Sequence, residues 1–174
     1  MTVSQSAEIT ALSGIEASDD THQCLTFIVQ DEEYGVDILR VQEIKGWGAV
    51  TPIPNTPRYI KGVINLRGMI VPIIDLRLRF GLENAAYGPL TVVIVLKTIA
   101  NDRERVMGMV VDAVSDVYNI SEEHMKPPPD FGNAACVDYV KGLATVDEKM
   151  VIVLDIDRLL TSSVFESINE TPRA

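Results

Sequence analysis

Tyr59–Phe80, YIKGVINLRGMIVPIIDLRLRF, occurs in this chain twice. Displacing the sequence by eighty positions sets Tyr139 against Tyr59, Lys141 against Lys61 and Gly142 against Gly62, and then, without a gap, Val151, Asp155 and Ile156 against Val71, Asp75 and Leu76. The second copy reads YVKGLATVDEKMVIVLDIDRLL. Ungapped register over about twenty residues marks an internal duplication.

Each copy has the same local logic. An apolar run follows Lys-Gly, a polar tip interrupts it (Asn65-Leu66-Arg67-Gly68 or Asp147-Glu148-Lys149), and a second β-rich run, VPIID or VIVLD, returns. That pattern predicts a β-hairpin. Asp75 and Asp155 close the hairpins, where a carboxylate N-caps a short helix over 76–80 or 156–160, and Gly81 is placed to end the first of these in the left-handed region. Pro72 cannot donate to a ladder and predicts an edge or a bulge.

Outward from the repeats, each half follows one plan. CLTFIVQ and YGVDI, joined by Asp31-Glu32-Glu33, read as two strands, and TVVIVLK with RVMGMVVDAV repeats them, Val111-Asp112 answering Val36-Asp37. ILRVQEI fits one helical turn or an irregular strand equally well. Pro-rich connectors, TPIPNTP and KPPPDFG, deliver the chain to Tyr59 and Tyr139. No helix-length amphipathic segment separates the strands, so a βαβ fold is excluded. The expectation is an all-β protein of two tandem SH3-like five-stranded barrels with one-turn helices, an OB-type barrel being the alternative. The predicted limits are a flexible acidic arm over 1–22, barrels over 23–81 and 90–160, and a tail over 161–174.

Composition narrows function. A net charge of −10 lacks the basic footprint that nucleic acid requires. Apolar runs are too short to span a bilayer, and the start of the chain lacks the features of a secretion signal, so a cytoplasmic location is expected. Cys24 and Cys136 have no CxxC spacing, which points to inert thiols and no metal. His22 and His124 read as solvated, and Asp37, Asp75, Asp112 and Asp155 read as caps and turns rather than a catalytic set. No phosphate-binding or nucleophile-elbow motif occurs, so neither catalytic residues nor a cofactor are expected. What remains is surface. Arg67 is either a solvated turn residue or a presented cation; Glu43 is an acid in an otherwise apolar segment. Ile38, Val41 and Ile70 are core residues by default, and Trp47 either makes contacts or covers a barrel mouth.

YGVDILRVQEIKGW, TPIPNTPRYIKGVINLRGMIVPIIDLRLRFG, TVVIVL, VVDAVSDV and PPPDFG resemble the bacterial chemotaxis coupling family CheW over about residues 25–160. The resemblance implies two SH3-like barrels and no catalysis. It further implies an adaptor joining the histidine kinase CheA, through that kinase's CheW-like regulatory domain, to the cytoplasmic tips of chemoreceptors in arrays at the inner face of the membrane. Carried over by motif, Glu43, Arg67 and Ile70 are receptor-binding candidates, and Ile38 and Val41 are kinase-binding candidates. No kinase or receiver module is expected beside this unit. The long acidic arm departs from the pattern. A small-molecule-binding barrel or a stand-alone enzyme is the competing reading.

Overall fold

The structure, a computed structural model, describes residues 21–82, 86–100, 102–128 and 139–161. Strands dominate: β1 (Thr21–Val29), β2 (Glu32–Asp37), β3 (Val41–Gly46), β4 (Ile60–Leu66), β5 (Met69–Asp75), β6 (Val92–Ala100), β7 (Arg103–Val111), β8 (Ala113–Ser121), β9 (Met125–Lys126), β10 (Val140–Val146) and β11 (Lys149–Leu154). The two repeat copies are hairpins β4–β5 and β10–β11, and each runs into the expected short helix, Leu76–Arg79 or Ile156–Thr161. Asp75 caps the first by accepting from the Arg77 N–H at 3.0 Å, and Asp155 caps the second by accepting from Arg158 at 3.2 Å. Gly81 closes the first helix at φ 85°. ILRVQEI is both things at once, a 3-10 turn over Ile38–Arg40 followed by β3.

Hairpin tips explain the polar interruptions. Val29↔Glu32, Leu66↔Met69 and Val146↔Lys149 each enclose two residues with positive φ, the primed turn that matches strand twist. The invariant Lys-Gly step of the repeat has its own cause. Register shifts between Ile60 and Gly62 and between Val140 and Gly142, and a Cβ on Gly62 would stand 2.0 Å from the Thr51 carbonyl oxygen. The connector crosses there, forming a bridge Thr51↔Val63 whose counterpart is Lys126↔Leu143. Pro72 pairs with Val63 one residue before β5 gains its second neighbour at Ile73, so the missing N–H costs nothing.

The strands form two sheets, β3-β6-β7-β5-β4 and β8-β1-β2-β11-β10-β9. The expected units, 23–81 and 90–160, each contribute strands to both sheets. Each half keeps its repeat hairpin but gives its opening hairpin to the other half's sheet, so the barrels are interleaved rather than tandem. The joints are two parallel contacts, Ile73↔Gly108 to Asp75↔Val110 and Val151↔Glu33 to Val153↔Gly35. They also correct the internal alignment: Gly108 answers Gly35, shifting the earlier match of Val111-Asp112 to Val36-Asp37. A side chain at Gly108 would meet Ile73 at 2.4 Å, which is why glycine stands at this joint.

Burial follows the interleaving. Val71, Ile73, Val93, Val95 and Val110 fill the first sheet's interior, and Cys24, Ile120, Ala144, Val151 and Val153 fill the second's. Between the sheets lies a larger shared core holding Phe27, Val36, Ile94, Leu96, Met109, Leu76, Leu159 and Leu160. Strand β6 faces apolar surroundings on both sides, hence its unbroken run VVIVL. Tyr59 and Tyr139, the first residues of the two copies, lie on either side of Arg79, with its guanidinium 5.1 and 4.7 Å from their ring centres. The predicted arm overlaps β1, which starts at Thr21; residues 1–20 and 162–174, Cys136 and most of the second Pro-rich connector lie outside the described residues. No described helix is long and apolar enough to cross a membrane.

Candidate interaction surfaces

Glu43 and Arg67 come together although 24 residues separate them: Arg67 Nη1 donates to Glu43 Oε1 at 2.8 Å. Glu43 is on β3, one edge of the first sheet, and Arg67 is at the tip of β4–β5, the other edge. The ion pair therefore closes the curled sheet. Asn65 fixes the tip by accepting from the Gly68 N–H at 2.8 Å, and Arg67 sits in the left-handed region at φ 52°. Exposure of the two side chains is unequal, 77 % for Arg67 against 24 % for Glu43. Arg67 lies over Glu43 with most of its side chain in solvent. Beside it Ile70 is 60 % exposed, and Met69 is exposed too, so the default assignment of Ile70 to the core fails. A cation with apolar neighbours at one sheet end is a surface suited to a protein partner.

Ile38 and Val41 instead pack, partly buried, against the shared core. Asp37 caps the intervening 3-10 turn through the Leu39 N–H at 2.9 Å, and that turn throws Leu39 outward, to 86 % exposure. Leu39 is the residue that sequence reasoning missed here; its signal was an acid cap two residues before it. A register shift on β3 between Val41 and Glu43 breaks the two-residue period, so these neighbours serve different faces. Trp47 covers rather than protrudes: it packs on the first sheet's interior and stacks on Tyr87 at 4.5 Å.

A buried charge network was also missed. Arg77, 3 % exposed, donates through Nε and Nη2 to Asp75 at 2.9 and 2.7 Å, through Nη1 to Asp112 at 2.9 Å, and to the Ala86 carbonyl. Tyr87 donates its hydroxyl to Asp75 Oδ2 at 2.8 Å. The hydrogen bonds to Asp75 drive the Arg77 pKa further above its ordinary value, so its charge is permanent. All four aspartates singled out in the sequence serve as caps or staples: Asp112 also accepts from the Gln30 N–H at 2.7 Å. A cleft of about 520 Å³ opens beside the network, between Gln30, Leu82, Tyr87 and Leu90, and the ionised groups on its wall, Arg77 and Asp112, are paired with one another. Among the described residues no group of three His, Cys, Asp or Glu is arranged to hold a metal. His22 pairs with Glu122 at the surface at 3.0 Å.

Comparison with known proteins agrees with the fold. The CheW-like domain matches residues 23–164. The chain is 43 % identical to the chemotaxis protein CheW of Klebsiella aerogenes, covering 97 % of this chain and 99 % of that one. It is 35 % identical to the chemotaxis protein CheW of Rhizobium meliloti, over 83 % of this chain and 91 % of the relative. The scaffolding protein TtCheW from Thermoanaerobacter tengcongensis superposes with a TM-score of 0.72 at 34 % identity, over 82 % of this chain and 89 % of that chain. The Klebsiella match, covering 97 % of this chain, reaches into residues 1–22.

Proposed function

Because this chain belongs to the CheW-like domain family, as a non-catalytic scaffolding protein of chemotaxis, we propose that it couples the histidine kinase CheA to the cytoplasmic tips of chemoreceptors. The observation that carries this reading is the Glu43–Arg67 clasp with exposed Ile70 beside it. A receptor-tip helix would set a carboxylate or carbonyl against the outward guanidinium and an apolar residue on Ile70. The kinase's CheW-like regulatory domain would take the other side of the β3 bulge. There Leu39 provides the apolar contact, while Ile38 and Val41 support it from below. Residues 23–160 act as one unit, since neither half holds a sheet without strands from the other. The protein works in the cytoplasm, brought to receptor arrays at the inner face of the membrane by these contacts, and linked weak contacts raise its effective affinity there.

The test is affinity capture from a lysate of chemotactic cells with the full chain as bait. Kinase and receptors should be retained together, and each should bind the purified chain directly in the micromolar range. Capture of a metabolic enzyme with neither of them would overturn the proposal.

A further inference from the structure

We infer that two ion pairs of opposite polarity key the repeats to each other and select the interleaved fold over a tandem one. In the first sheet the helix after the hairpin carries the cation: Arg77 donates to Asp112, in the segment leaving β7, at 2.9 Å. In the second sheet the helix carries the anion. Asp157 stands eighty residues after Arg77, at the repeat-related position, and accepts from both terminal nitrogens of Arg40, in the turn leaving β2, at 2.9 and 3.0 Å. The strands that these segments leave are themselves equivalent, because Gly35 of β2 faces Val153 as Gly108 of β7 faces Ile73.

Suppose each half kept its own opening hairpin. Arg40 would then come to Arg77, and Asp112 to Asp157. The interleaved chain has two attractive pairs where the tandem chain has two repulsive ones. Asp75 accompanies Arg77 in either arrangement, so the choice rests on the other partner. Apolar pattern discriminates poorly between the two folds, since both parallel joints set a glycine against Val or Ile. Charge supplies the difference, as specificity often demands a penalty on the alternative. The pairs are shielded enough for this: side-chain exposure is 3 % and 34 % for Arg77 and Asp112, and 26 % and 31 % for Arg40 and Asp157.

Reversing one key tests the inference in the full chain. Arg40→Asp with Asp157→Arg keeps an ion pair in the second sheet but gives it the first sheet's polarity, so the tandem fold is matched as well. Each single substitution should lower the melting temperature, and the double variant should recover at least half of that loss. After dilution from denaturant, however, the double variant should return at most half the wild-type yield of native monomer, with the remainder as misassembled or associated species on size exclusion. A core variant of equal melting temperature, such as Ile73→Val, controls for stability and should refold in full. Wild-type yield and refolding rate for the double variant would overturn the inference, leaving the pairs as stabilisers without a selecting role. Should the reversed pair prevent folding altogether, Arg40→Met with Asp157→Asn removes attraction and repulsion together while leaving an oxygen to accept from the Ile99 N–H. A yield loss beyond the Ile73→Val control then supports keying, and an equal yield overturns it.

Discussion

Arg77 shows how a single side chain can be hidden from sequence reasoning. In Asp75-Leu76-Arg77 the arginine looks like an ordinary charge in the first turn of a helix, yet it is among the most buried polar residues described, and its partner Asp112 lies 35 positions away. Removing one member of such a pair strands the other without compensation. Arg77→Met should therefore cost about 3–5 kcal/mol, lowering the melting temperature by about 10 °C, with loss of the Trp47–Tyr87 stack visible in the fluorescence of the single tryptophan. A melting point within a few degrees of wild type would contradict the network's importance. Cys24 makes a second prediction. Burial pushes its thiol from 9.0 up to about 11, with Asp37 adding to the rise. The folded state thus holds this proton more tightly than the unfolded chain. Its contribution is fully present below about pH 9 and is lost as pH rises through 11, on the order of 2 kcal/mol. Denaturant midpoints measured from pH 8 to 11 should fall, and Cys24→Ala should flatten that fall; an equal slope in both proteins would exclude the thiol as its source.

At the level of elements, much was legible. Period-two apolar runs, polar tips and capping aspartates announced the hairpins and their helices correctly, because each signal is local and each has a local cause. The turns also yield a prediction. Asp147 and Glu148 occupy the positive-φ positions at 49° and 66°, where the first copy has Arg67 and Gly68. Glycine adopts that region without strain. Glu148→Gly should raise stability by up to about 1 kcal/mol, read as a higher denaturant midpoint with an unchanged slope; destabilisation would mean that the Glu148 side chain makes a contact of its own. What stayed illegible was the 3-10 turn that exposes Leu39 while tucking in Ile38 and Val41. An apolar triplet carries no mark of which member faces out until the cap on Asp37 fixes its rotation.

For the whole molecule, the duplication was plain but its use was not. Eighty-residue register gives the number of units, whereas the exchange of opening hairpins depends on parallel contacts such as Ile73↔Gly108, which leave no periodic trace. The candidate site divided the same way. Arg67 drew notice as a charged hairpin tip, but its pairing with Glu43 arises only when the first sheet curls and its edges meet. In the proposed function this clasp serves the receptor while the kinase is held on the other side of the β3 bulge. Arg67→Glu probes that division, because it reverses the presented charge at a position 77 % exposed, though it also gives up the Glu43 pair and with it a little stability. The decisive measurement titrates this variant and the wild type against a receptor-tip fragment and against the kinase's regulatory domain, beside a melting curve. Receptor affinity should fall by at least 1.5–3 kcal/mol, roughly ten-fold or more, with kinase affinity nearly unchanged and the melting temperature lowered by no more than a few degrees. Unaltered receptor binding, or equal loss of both partners, would contradict it.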